Sequence, residues 1–154
     1  MSELLPERVL GFDYGARRIG VASGQRITGT AQALSVIERA AGEPDWAAIA
    51  RLVREWQPQA LVVGLPLALT GEEQPMTHAA RAFAAELGRR SGLPVHLHDE
   101  RMSSQEAARR FAAARAAGQR QRRDAALLDA IAAQVIVESY LAGGGLPPIP
   151  PPPG

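Results

Sequence analysis

Three acidic segments, far apart in the sequence, carry residues that could do chemistry together. Asp13 lies within Gly11-Phe12-Asp13-Tyr14-Gly15-Ala16-Arg17-Arg18-Ile19-Gly20. A carboxylate inside an apolar strand is costly unless it is paired or bound to a metal. Gly15 and Gly20 remove side chains nearby and let backbone approach a ligand. His98-Asp99-Glu100-Arg101 follows directly on the short run Pro94–His98. That places an acidic pair beyond the carboxyl end of a strand, where open sheets build their sites. Neighbours on an extended chain point to opposite faces, so one of Asp99 and Glu100 reaches the centre that Asp13 faces. Spacing alone leaves the choice open. Asp129, in Ala126-Leu127-Leu128-Asp129-Ala130-Ile131-Ala132-Ala133, shares a helical stripe with Ala132, Ala133 and Ile136. Asp124 follows Arg122-Arg123 and sits where an N-cap belongs, which leaves Asp129 as the ligand candidate.

Carboxylate oxygens select hard cations, Mg²⁺ or Mn²⁺, which keep waters and accept phosphate oxygens as further ligands. Such ions can activate a water and stabilise the leaving oxygen of a phosphodiester. His96 and His98 lie two apart on one strand face, but no third zinc ligand accompanies them. Cysteine is absent, which excludes disulfides, thiolate metal sites and a cysteine nucleophile. The formal net charge is only +1, yet every basic residue is arginine, the side chain suited to bidentate phosphate contact. Arg120, Arg122 and Arg123 form a positive segment just before the helix of Asp129, as contact with a nucleic-acid backbone requires. Arg109 and Arg115 read instead as a solvated helix face. Aromatic residues are few, so recognition is expected to use shape and backbone rather than stacked bases.

The elements that must position these groups follow from periodicity and breakers. Val9–Tyr14, Arg18–Ser23 and Ala33–Ile37 read as successive strands. A helix opens at Pro44 or Asp45 and runs to Trp56, with Trp46, Ile49, Leu52, Val53 and Trp56 at helical spacing. Ala60–Gly64 has the profile of a buried parallel strand. A loop Leu65–Pro75, a helix Thr77–Arg90 and the strand Pro94–His98 come next. Ser103-Ser104-Gln105-Glu106 has capping-box spacing and predicts a helix to Ala117. The last helix is expected over Asp124–Leu141. Residues 1–142 form one domain, and 143–154 a Gly/Pro-rich flexible tail outside helix and strand. The order βββ–α–β–α–β–α–α predicts an α/β protein with a mixed five-stranded sheet flanked by helices, the RNase H-like arrangement. The N-terminal residues do not read as a signal peptide, and no apolar run is long enough to span a bilayer. A cytoplasmic protein without membrane contact is expected.

Four segments together resemble the YqgF family, the pre-16S rRNA nucleases also described as Holliday junction resolvase-like. They are Gly11–Ala22, Val62-Val63-Gly64-Leu65-Pro66-Leu67, Asp99-Glu100-Arg101-Met102-Ser103-Ser104 and Asp129-Ala130-Ile131-Ala132-Ala133. The resemblance spans about Val9 to Leu141. It implies an RNase H-like fold, a cytoplasmic bacterial protein, and catalytic, metal-holding acids at Asp13, Glu100 and Asp129. Arg17, Arg18 and Arg101 lie within the matched segments and join Arg120, Arg122 and Arg123 as nucleic-acid-binding candidates. The chain departs from the family in two places. It has Ser23-Gly24-Gln25 where many members have Ser-Asp, and the loop after Pro66 lacks the common Asn and Asp.

The function expected from these residues and this resemblance is a hydrolase of phosphodiester bonds. It would be an Mg²⁺- or Mn²⁺-dependent endonuclease maturing the 5′ end of pre-16S rRNA during ribosome biogenesis, with a ribosomal precursor particle as partner. Its state would be a monomer or weak homodimer. Cleavage of branched DNA, as a Holliday junction resolvase, is the nearest alternative, and a non-catalytic RNA-binding assembly factor is the alternative from another class. Asp13-x-Gly15 also occurs in sugar-kinase and actin-like ATPases. Those bind nucleotide between two such domains, and this chain has room for one.

Overall fold

A computed structural model describes residues 5–68, 70–100, 123–143 and 148–149. Strands β1 (Arg8–Tyr14), β2 (Arg18–Gln25) and β3 (Thr30–Ala40) form an antiparallel meander. A two-residue strand β4 (Glu43–Pro44) leads into α1 (Trp46–Trp56). Strand β5 (Ala60–Leu65) then pairs parallel with β1, and β6 (Val95–Asp99) pairs parallel with β5. Helix α2 (Pro75–Ser91) connects β5 to β6, and α3 (Arg123–Leu141) follows in the described chain. The sheet order is β4-β3-β2-β1-β5-β6-β7, where β7 is Pro148–Ile149.

The five expected strands are all present, but the count of five is corrected by the two-residue pieces β4 and β7 at the sheet's edges. Pieces so short carry no alternation to detect. β7 lies in the segment expected to stay outside helix and strand, yet it pairs antiparallel with β6 through Val95↔Ile149 and His96↔Pro148. Proline lacks a donor, and an edge strand is where a sheet tolerates it. β3 is also longer than its apolar centre suggests, because most of its residues are only half-buried. Helix α3 begins at Arg123, so Asp124, the expected cap, is already helical. The helix expected between Ser103 and Ala117 lies outside the described residues. No helix among the described residues is long and apolar enough to cross a membrane.

Strand alternation divides the side chains between two unlike faces. On one, Leu10, Phe12, Ile19, Val21, Leu61, Val63 and Leu97 pack against Ile49 of α1 and Phe83, Ala84 and Leu87 of α2. Phe83 meets Phe12 edge-on at 5.9 Å and stacks with Tyr14 at 4.7 Å and Trp46 at 5.6 Å. The aromatic rings therefore serve this core. Asp45 caps α1 by accepting from the Ala48 N–H at 3.1 Å. Thr77, fully buried near the start of α2, accepts from the Gln74 N–H at 2.9 Å and donates to the Pro66 carbonyl. That hydroxyl ties the loop after β5 to the helix.

The other face is built from small residues. Val9, Ala22, Ala60 and Val62 meet Ala133, Ile136, Val137 and Tyr140 of α3. Gly11, Gly20 and Gly24 lie on the same face, and each lacks the Cβ that α3 would collide with. At Gly20 the obstacle is the backbone of Asp129, and at Gly11 and Gly24 it is the Val137 side chain. Backbone cannot swing aside as a side chain can. Gly20→Ala is therefore expected to lower stability by about 1–3 kcal/mol, as overpacking does, read as a lower urea midpoint. Loss of the α1 cap in Asp45→Ala should cost about 1 kcal/mol in the same measurement and leave the α3 face intact.

Candidate active site

Asp13 falls on the α3 face because it alternates with Gly11 and Val9 along β1. Its partner on β2 is Gly20, over which the Asp129 backbone lies. The chain thus uses one glycine to bring the third acid beside the first. On the other flank, β1 pairs with β5 through Phe12↔Val63, and the next position on β5 is Gly64. An added Cβ at Gly64 would stand 2.5 Å from Glu100 Oε1 and 2.9 Å from its Cγ. With that space empty, the Glu100 side chain crosses β5 and hydrogen-bonds Asp13.

Of the two acids the spacing left open, Glu100 is the one that meets Asp13. Asp99 closes β6 with the parity of Val95 and Leu97, which pack toward α1 and α2. Its charge acts on Glu100. Gly64 was the signal available and unused: a glycine inside a buried strand marks a close approach.

Burial is the main cause of the site's unusual acidity. It pushes the Glu100 carboxyl up to about 10, and the hydrogen bond to Asp13 and the charges of Asp13 and Asp99 act in the same direction. Burial also raises Asp13, against the hydrogen bond from Glu100 and with help from the charge of Asp129. Without a cation, the buried Asp13–Glu100 pair therefore retains a proton near neutral pH. Asp129 is arranged differently. Its Oδ2 accepts from Arg18 Nε at 2.9 Å, and both side chains keep roughly a quarter of their surface exposed. Among the described residues, no group of three or more His, Cys, Asp or Glu side chains is set around a common cation position. The acids therefore gather as a hydrogen-bonded pair plus a neighbour held by an arginine.

The remaining candidates fall out as follows. Arg17 is exposed in the β1–β2 turn, which closes through the Gly15 N–H to the Arg18 carbonyl at 3.0 Å. Arg123 begins α3, its side chain outside what the structure describes. Arg101, Arg120 and Arg122 lie outside the described residues. His98 is buried, with Nε2 2.8 Å from Ser139 Oγ, and His96 packs edge-on against Tyr140 at 5.3 Å. Burial lowers both histidines. Gln25 is exposed at the end of β2, and the loop after Pro66 folds back through a Leu67↔Glu73 bridge.

The raised carboxyl has a consequence for stability. The folded state holds a proton on Glu100 that the unfolded chain releases near 4.5, up to about 10. Within that window the folded state binds more protons, so stability falls as pH rises. The urea midpoint of the metal-free protein should decline across this range, and Glu100→Gln should flatten the decline. A midpoint independent of pH in the parent protein would refute the shared proton.

The sequence and fold can now be set beside known proteins. The family model described as "RuvX: Holliday junction resolvase" matches residues 7–143. A "Putative pre-16S rRNA nuclease" of Azotobacter vinelandii is 48% identical over 137 residues, 89% of this chain and 94% of that relative. One of Xanthomonas campestris pv. campestris (strain B100) is 55% identical over 134 residues, 87% of this chain and 86% of that relative. Among solved structures, "T. thermophilus RuvC in complex with Holliday junction substrate" matches with a TM-score of 0.54 at 18% identity. It covers 92% of this chain and 99% of that one. The shared architecture is the RNase H-like fold. With the family model spanning almost all of the described residues and two relatives near half identity over most of their length, the chain belongs to the RuvX (YqgF) family.

Proposed function

We propose that the protein is a divalent-metal-dependent endonuclease that trims the 5′ end of pre-16S rRNA in the cytoplasm, with Asp13, Glu100 and Asp129 as its catalytic acids. The observation that carries this reading is the Asp13–Glu100 pair. Two carboxyl groups are brought together across an empty glycine position and retain a proton between them. Such a pair is a site short of positive charge. Its donors are all oxygen, which fits Mg²⁺ or Mn²⁺ better than a softer metal. Asp13 and Glu100 would hold the ion, with Asp129 as the third acid. When bound, the ion supplies activation of water and neutralisation of the leaving oxygen.

The chain's own residues do the rest. Holding the ion would require Glu100 to release its proton, and both carboxylates would then be available as oxygen ligands. Gly20 and Gly64 keep the acids within reach of one another. Arg17, exposed in the β1–β2 turn, would meet phosphate oxygens, and Arg18, Arg101, Arg120, Arg122 and Arg123 are the further candidates for the nucleic-acid backbone. The pre-16S rRNA nuclease names of relatives near half identity support RNA in a ribosomal precursor as substrate. The family description and the RuvC likeness favour one second reading, cleavage of a four-way DNA junction. That reaction needs two symmetric cuts and therefore a two-fold dimer.

The test is cleavage of a 5′-extended 16S precursor within ribosomal particles, run beside a synthetic four-way DNA junction in Mg²⁺ and in Mn²⁺. Metal-dependent trimming of the precursor, reduced to background in Asp13→Asn, is the expected result. Symmetric nicking of the junction with intact RNA would replace this reading with the resolvase. Tight binding to the particle with no cleavage of either substrate would replace it with a non-catalytic assembly factor.

A further inference from the structure

Arg18, at the start of β2, reaches inward toward the acids. It opens β2 on the face of Gly20 and Ala22, the face that α3 covers. Its Nε donates to Asp129 Oδ2 at 2.9 Å, across a sequence separation of 111 residues. The backbone on both sides of this contact is fixed. The Arg18 carbonyl closes the β1–β2 turn on the Gly15 N–H, and the Asp129 backbone rests on Gly20. The two side chains are consequently held opposite each other by main-chain geometry. Glu38 of β3, directly across the strand pair from Arg18, is exposed and gives the guanidinium a second acidic neighbour.

Building on the metal-binding reading above, we infer that the Arg18 guanidinium is a built-in counter-cation that occupies Asp129 until a divalent ion displaces it. A carboxylate oxygen bound to a guanidinium N–H has that lone pair engaged, so ion binding and the Arg18–Asp129 contact compete at Oδ2. Arg18 is thus a positioning residue. It keeps the third acid oriented in the metal-free protein and weakens metal affinity in doing so. Once released, the guanidinium, at the start of β2 and opposite Glu38, becomes available to a phosphate oxygen of the substrate. The coupling makes metal entry and exposure of a phosphate-binding cation one event.

The test is calorimetric titration of Mn²⁺ into the parent protein, Arg18→Gln and, as a control for charge alone, Arg17→Gln. The Arg18 variant is expected to bind Mn²⁺ about two- to fivefold more tightly, the strength of a partly exposed ion pair; Arg17→Gln should change affinity less. Urea unfolding supplies a second readout. Without metal, Arg18→Gln should lower the midpoint of the parent but not of Asp129→Asn, and saturating Mn²⁺ should remove the difference. Unchanged or weaker Mn²⁺ binding by Arg18→Gln overturns the inference and leaves the nuclease reading standing. Equal effects of the two arginine variants also overturn it. No Mn²⁺ binding by the parent overturns both. Should the Gln variant fail to fold, Arg18→Lys, which keeps the charge and loses the Nε donor, should shift affinity in the same direction by less.

Discussion

The site depends on how closely α3 can lie against the sheet. A helix that packs on ordinary β-branched residues is held off the sheet by their side chains, too far for a short aspartate to share a centre with a strand residue. Here glycines and alanines clear the strand surface, and the backbone of Asp129 descends onto Gly20. The same device operates at Gly64, where the missing side chain is the space Glu100 fills. Glu100 reaches Asp13, and the Asp129 backbone comes down beside them, because hydrogen atoms stand where side chains would otherwise be.

Proximity of that kind is electrostatically unfavourable, and the other half of the molecule has to offset it. The opposite face of the sheet carries the large aliphatic side chains and the Tyr14–Phe83–Trp46 stack. Each large buried side chain there contributes about 1.5–3 kcal/mol relative to exposure. The sheet therefore divides its labour, with one face supplying cohesion and the other tolerating crowded carboxylates. Retention of a proton and engagement of an arginine are two ways of limiting the repulsion.

Much of this was legible in the residues. The order of strands and helices followed from alternation, helical spacing and breakers, and each of the five longer strands lies where its apolar run stands. Asp13 and Asp129 announced themselves as charges in apolar surroundings. The choice between Asp99 and Glu100 was not legible from spacing, because alternation says only that they oppose each other; which faces α3 is decided by the twist and parallel pairing of β6. The family resemblance pointed to Glu100, and the empty position at Gly64 is what lets that side chain reach Asp13. The contact between Arg18 and Asp129 had no local signature, since it joins a strand end to a helix far along the chain. The full length of β3 is not legible because half-burial blunts its apolar pattern, and β7 is not legible because two residues have no period.

The unequal faces bear on how such a chain can diverge. On the cohesive face, a leucine can exchange for isoleucine or methionine with modest repacking, since volume is the main requirement. On the face toward α3, Gly11, Gly20, Gly24 and Gly64 have no smaller replacement, and a larger one meets the Asp129 backbone at Gly20 or the side chains of Val137, Glu100 and Ile136 at the others. Substitution over time should therefore accumulate on one side of a single sheet while the other side stays nearly frozen. Ancestry would be read most reliably from four positions that carry no side chain at all.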